Sequence, residues 1–496
     1  NNMEFVIVGL YIFFLSFILL YAITELNLTF AYLSDKRKNR GVQEKSFDND
    51  EGKPMVTIQL PVYNELYVIE RLIDVVANFD WPIEKLEIQV LDDSNDETVD
   101  IIANKVKEWS RKGIDITHVI RPDREGFKAG ALAYGMDLLR GEYIAIFDAD
   151  FVPGSDFLNR TIPYFADDRI GVVQTRWGYL NRDYSILTKL QAFALDAHFK
   201  IEQRGRNSGG HFINFNGTAG IWRKTTIEDA GGWQSDTLTE DLDLSYRAQL
   251  KGWKFQYLED VESPAELPVT MPALKSQQFR WSKGAAECTR KNLGKVLIKR
   301  GIGMRTKINA TFHLLNSFLF ICVISLVMLS IPAMLIINQF PQFDHVFRNS
   351  LSFFFISTII LGIIYFVANK SPEDNFIVAL FKFILFFPMF LALTMGIGLY
   401  NAIGVVEGYL GKKSPFVRTP KFNVTTKSDS LKANKYVISS FNPMAILEFL
   451  LVLYAGYGIY VALEFENYYM LGFLVMIAIG FSYTSFYTVK HAAAAK

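Results

Sequence analysis

MVTIQLPVYNE, residues 55–65, is the stretch on which the fold turns. Its first six residues make a short, mostly apolar run, as a strand requires. Pro61 and Asn64 suit a turn, and residues 65–77 then read as a helix. The same order repeats downstream. Residues 86–91, 114–120 and 143–147 read as further strands, and residues 97–110 and 128–139 as helices between them. From about residue 55 to residue 268 this alternation predicts βαβ units and a parallel sheet covered on both faces. In such sheets ligands bind beyond the carboxyl ends of the strands, so chemistry is expected just after each strand.

On either side of that region the pattern changes to long apolar runs. Residues 3–22 are long enough to span a bilayer, with Glu4 at the outer edge. Lys36, Arg37, Lys38 and Arg40 follow, a basic cluster of the kind that stays cytoplasmic. No basic segment precedes the run and no small-residue cleavage site follows it, so it reads as a retained anchor. Residues 314–337, 351–368, 444–463 and 470–487 also read as spans. The basic segments 291–307 and 412–421, with Lys490, all face the cytoplasm by the positive-inside rule. An even number of crossings must then separate them, so residues 376–400, though apolar, are expected to lie in the interface.

Bulk composition removes several alternatives. The chain has 496 residues, enough for a soluble domain and a membrane part. Its 51 basic and 51 acidic residues balance, which gives no support for a nucleic-acid partner. Cys288 and Cys322 are far apart and lack the paired spacing of a zinc site, and no disulfide framework is expected. The terminal HAAAAK reads as an expression scar.

The polar residues fall where the sheet rule puts them. Asp92 and Asp93 follow the second strand, where a carboxylate meets a base edge or ribose hydroxyl, or caps the next helix. Lys128 begins a helix, where a cation meets a diphosphate or stays on the surface. Asp148-Ala149-Asp150 ends an apolar strand. Alternate residues of an extended chain share a face, and two buried carboxylates side by side call for a cation. Hard oxygen donors with a diphosphate suit Mg2+ or Mn2+. Thr239-Glu240-Asp241 opens a helix, as a cap with dipole acids or with one carboxylate as a general base. Gln277-Gln278-Phe279-Arg280-Trp281 offers a flat indole for a sugar and a guanidinium for phosphate, or an interfacial anchor.

In their order and spacing, these motifs resemble the family-2 glycosyltransferases, and among them the processive membrane branch. That branch includes cellulose synthase, hyaluronan synthase and cellulose-synthase-like mannan and glucan synthases. The resemblance covers about residues 55–281 strongly and the membrane part more weakly. It implies an α/β fold of GT-A (Rossmann-like) type: an anchor over residues 1–32, a cytoplasmic glycosyltransferase domain over 33–290, and a transmembrane bundle over 291–496. A gating-loop-like segment is expected at 411–440, with Phe416-Val417-Arg418-Thr419-Pro420-Lys421 as its motif.

Residue by residue, the resemblance implies that Tyr63, Glu65, Asp92 and Asp93 hold the nucleoside. Lys128, Gln277 and Arg280 approach the diphosphate. Asp148 contacts the nucleotide and, with Asp150, the metal. Asp241 is the base, and Asn216, Gly217, Thr218, Glu240 and Trp281 form the acceptor end. The expected reaction is inverting transfer of a hexose, from UDP-glucose as the family's commonest donor, to a β-linked polysaccharide secreted through a plasma or Golgi-type membrane. Expected partners are the donor, a polysaccharide or glycolipid acceptor and membrane lipids, without nucleic acid. The Gln-Gln-Phe-Arg-Trp form is similar to that of plant mannan and xyloglucan-backbone synthases. Alternatives are a ceramide-type lipid glucosyltransferase and a nucleotide-sensing transporter without catalysis.

Overall fold

The computed structural model describes residues 2–38, 50–414, 416–426, 429, 435, 436 and 443–493. Arg40, residues 494–496, and residues 415, 427, 428, 430–434 and 437–440 of the expected gating segment lie outside the described residues.

Seven strands form one sheet: β1 (Val56–Val62), β2 (Leu86–Asp92), β3 (Asp115–Ile120), β4 (Tyr143–Ile146), β5 (Ile170–Tyr179), β6 (Gly220–Arg223) and β7 (Lys254–Ala265). Their order is β3-β2-β1-β4-β6-β5-β7. The first four pair in parallel, as expected. The sheet as a whole is not parallel, because β6 runs antiparallel to both β4 and β5. β6 has four residues, too few to show a period in the sequence. β5 and β7 pair in parallel, with shifts of register. Both faces are covered. Ala145 packs into one apolar cluster with Ile58 and Val90, whereas its neighbours Ile144 and Ile146 pack into another with Val172 and Trp222. Full burial of each such Ile or Val is worth about 1.5–3 kcal/mol.

The helix expected from Glu65 begins at Ile69. Asn64 takes φ 56°, and its amide N–H donates to Ser94 Oγ at 2.8 Å. The turn after β1 is therefore bolted to the turn after β2 before the helix can start.

Six helices among the described residues are long and apolar enough to cross a membrane: Met3–Arg37, Phe318–Gln339, Pro341–Asn369, Phe376–Gly396, Met444–Glu464 and Tyr468–His491. The first continues well past the run 3–22 read from sequence, and Leu28 and Tyr32 are buried there. Phe376–Gly396 packs against the α/β domain. Asn369, just before it, donates to Phe193 O at 3.1 Å, and Lys200 reaches Ala368 O at 3.3 Å. Along its length Phe387, Phe390 and Leu393 pack with Leu187, Leu190 and Phe193 of the helix Ile186–Asp196, and with Met271 and Leu274. By length and apolarity the same helix could also cross a bilayer.

Two tight crossings fix these helices. A Cβ on Gly396 would stand 2.3 Å from Gly480 O, so Phe376–Gly396 meets the last helix backbone to backbone. A Cβ on Gly408 would stand 2.6 Å from Lys283 O, so Gly398–Leu410 lies equally close to Met271–Ile298. The latter helix also donates Lys275 Nζ to both Glu448 carboxylate oxygens, at 2.6 and 2.7 Å, and to Thr488 Oγ1 at 2.7 Å. That buried ion pair joins it to Met444–Glu464 and to the last helix.

Candidate active site

Strands β1 to β5 and β7 run in one direction, so their carboxyl ends share one edge of the sheet. β6 runs the other way, which brings the segment before it, Asn216-Gly217-Thr218, to that same edge. One cavity lies there. Tyr63, Glu65, Asp93, Lys128, Asp148, Asp150, Asn216, Gly217, Glu240, Asp241, Gln277, Arg280 and Trp281 all line it. Thirteen of the residues singled out from the sequence thus converge on one space.

Two others do not reach the cavity wall. Asp92, the last residue of β2, is buried, with Oδ2 2.8 Å from His118 Nε2 and Oδ1 accepting from the Ser94 amide. The pleat turns it away as it turns Asp93 inward. Thr218 is buried beneath the site, where its Oγ1 accepts from the Asp148 amide at 2.9 Å. It holds the carboxylate loop and is not placed to touch an acceptor.

The wall residues are set by short contacts. Arg121 grips Asp93 with two nitrogens, at 2.9 and 2.5 Å, and Arg124 stacks 3.3 Å from the centroid of the Tyr63 ring. Lys128 Nζ donates to Asp148 Oδ1 at 2.5 Å and to Gly217 O at 2.9 Å. Burial opposes the charge on Lys128, but Asp148, Glu240 and Asp241 outweigh it and raise its pKa. Gly217 has φ 79°, and a Cβ there would stand 3.1 Å from Asp241 Oδ2. Glycine lets the carboxylate approach.

Glu240 and Asp241 occupy the first turn of Glu240–Lys251, where acids favour the helix dipole. Thr239 does not cap that helix through its side chain; its hydroxyl lies 3.4 Å from Cys288 Sγ. Burial raises the Asp241 pKa, the Glu240 charge adds to the rise, and Lys128 acts against it. On Met271–Ile298, Gln277, Arg280 and Trp281 recur at three- and four-residue spacing and so share a face. Burial lowers Arg280 to about 10, which leaves it charged at neutral pH.

The loop after Gly398–Leu410 lies across the same cavity. Arg418 pairs with Glu65 at 2.9 Å, Lys421 with Asp150 at 2.7 Å, and Thr419 Oγ1 accepts from Arg280 at 2.7 Å. The Arg280 guanidinium stacks 4.6 Å from the Phe416 ring centre. Glu266, unremarked in the sequence, anchors the loop by accepting from the Phe422 and Asn423 amides, each at 2.9 Å. Trp177 on β5 was also missed; it stands 6.4 Å from Trp281, ring centre to ring centre. Both come from the late strands, which carry no local motif.

Asp148 and Asp150 are hard oxygen donors on one wall, and lysine ammoniums now balance them. Among the described residues no group of three His, Cys, Asp or Glu side chains gathers as a metal cluster. The donor set fits a divalent ion whose other ligands come from a diphosphate. A second cavity shares Trp177, Asn216, Asp241, Gln277 and Trp281 with the first. It continues between the apolar helices past Tyr21, Tyr365, Phe390 and Thr394.

Residues 54–284 match the model of a family described as glycosyltransferase like family 2. Over 273 residues the chain is 45% identical to a probable glucomannan 4-beta-mannosyltransferase of Oryza sativa subsp. japonica, covering 54% of this chain and 49% of that protein. Over 285 residues it is 41% identical to a glucomannan 4-beta-mannosyltransferase of Arabidopsis thaliana, covering 55% and 54%. The chain thus spans about half the length of the curated relatives it matches. A mannosyltransferase from Pyrobaculum calidifontis, solved in complex with GDP-Man and Mn2+, is 19% identical with a TM-score of 0.50, covering 81% of this chain and 100% of that one. That likeness is one of fold.

Proposed function

We propose that this chain, whose residues 54–284 match the model of a family described as glycosyltransferase like family 2, elongates a β-linked polysaccharide with mannose from a nucleotide donor. The observation that carries the reading is the convergence of Asp93, Asp148, Asp150, Glu240 and Asp241 on one cavity that opens toward the apolar helices. Mannose replaces the glucose expected from sequence because the matching relatives are glucomannan mannosyltransferases, and GDP-mannose is the donor the proposal adopts.

In this reading Tyr63, Glu65 and Asp93 hold the nucleoside. Lys128 and Arg280 meet the diphosphate, where fixed cations favour the charge that develops on the leaving group. Asp148 and Asp150 would hold Mg2+ or Mn2+, which supplies further neutralisation of that diphosphate. Asp241 takes the proton from an acceptor hydroxyl as its oxygen attacks the anomeric carbon from the face opposite the nucleotide, inverting the centre. Trp281 and Trp177 give the acceptor sugar flat apolar faces. The second cavity leads the chain out between the helices, with the catalytic domain on the cytoplasmic side of a Golgi-type membrane.

Membranes from cells expressing the chain, supplied with radiolabelled GDP-mannose or UDP-glucose, test this. Label from GDP-mannose in a polymer that β-mannanase digests is the expected result. Organic-soluble label would instead identify a lipid acceptor. No incorporation from either donor, with Asp241→Asn indistinguishable from wild type, would remove the enzymatic reading.

A further inference from the structure

A basic cavity of about 480 Å³ opens where the α/β domain meets the helices Asp344–Asn369 and Phe376–Gly396. Arg182, Lys189, Lys200, Lys370 and Lys382 line it, against the carboxylates Asp183 and Asp374. Asp196, buried behind the wall, is shared by Arg182 at 2.9 Å and Lys200 at 3.3 Å. Lys189 and Lys382 pair with Asp183 and Asp374 at 3.3 and 2.8 Å. Five cations therefore face three carboxylates, and Lys370 is exposed.

The cavity is also amphiphilic. Phe193, Phe366, Phe383 and Phe386 form its apolar side. One turn to either side of Lys382 on the same helix, Val378 and Leu385 are 40% and 51% exposed. A surplus of cations beside an outward apolar face matches a molecule with an anionic head and hydrocarbon tails. A soluble phosphate would use the cations and leave the apolar face unmatched.

We propose that this cavity binds the headgroup of an anionic glycerophospholipid, with the phosphate among Lys189, Lys370 and Lys382 and the acyl chains along the exposed face of Phe376–Gly396. The proposal rests on these helices lying in a bilayer and uses no residue of the active site. Its consequence for function follows from the helix Ile186–Asp196. That helix presents Lys189 and Phe193 to the lipid and Leu190, Ala194 and Leu195 to the cavity shared with Asp241.

Native mass spectrometry of the full chain in detergent tests the site, with phosphatidylserine and phosphatidylcholine offered in turn. Phosphatidylserine is expected to be retained about tenfold more tightly, and the double variant Lys189→Glu/Lys370→Glu to lose that preference. Soluble glycerophosphoserine at the same concentration is expected not to displace the lipid. Equal retention of the two lipids by wild type overturns the proposal, whatever the variant does. So does a folded variant, judged by its thermal transition, that keeps the preference. Displacement by glycerophosphoserine would make the ligand a soluble phosphate and not a lipid. None of these readings depends on turnover, so they are independent of the transferase assay.

Discussion

Asp241 carries the clearest consequence at the scale of a single residue. Burial raises its pKa, and the Glu240 charge raises it further. A base works only when ionised, so activity falls as pH drops through that raised value. The acid limb of kcat is therefore expected above the ordinary carboxylate range, which centres near ~3.9 for Asp. Asp241→Asn should lower kcat by about 10²–10⁴-fold and abolish the limb, with donor binding by calorimetry nearly unchanged. A limb that stays in place in a residually active Asp241→Asn protein would assign the titration to another group. Single residues also show where sequence reading stops. Asp148 and Asp150 were legible as cavity residues because they follow directly on an apolar strand, where the sheet places its crevice. Asp92 and Asp93 were not separable, since only the strand register decides which of two neighbours faces the cavity.

At the scale of an element, the helix Met271–Ile298 works through one face. Its Arg280 joins two elements distant in sequence: it donates to Thr419 and stacks on Phe416. Lysine keeps the charge but loses the planar fork. Arg280→Lys is expected to cost about 1.5–3 kcal/mol of donor binding, a charge-assisted hydrogen bond. That corresponds to a roughly ten- to hundredfold rise in donor KM. An unchanged KM for the donor would show that this contact serves the loop alone. The motif on this helix was readable because spacings of three and four place side chains together. β5, β6 and β7 were not readable. Their pairing joins residues far apart in the chain, and the sites they bring, Trp177 and Glu266, have no neighbours in sequence that announce them.

For the whole molecule, one buried joint between the α/β domain and the apolar helices is Lys275. Its partner Glu448 is fully buried. Lys275→Met leaves that carboxylate without a cation, at an expected cost of about 3–5 kcal/mol in stability. Lys275→Met/Glu448→Leu should recover most of the loss, as read from thermal unfolding in detergent. Recovery would mark the pair as a joint that apolar packing can replace; no recovery would mean that the ammonium also serves Thr488 in a way packing cannot.

The helix Phe376–Gly396, docked on the α/β domain, has a consequence for biosynthesis. As a nascent segment it has the length and apolarity that insertion machinery reads as a crossing. Its docking surface, built from Ile186–Asp196 and the start of Met271–Ile298, leaves the ribosome first. On the reading that the helix lies in the interface, the order of synthesis decides whether those residues are captured by a finished platform or threaded to the far side of the membrane. A slow-folding platform would yield a molecule with its last two helices inverted.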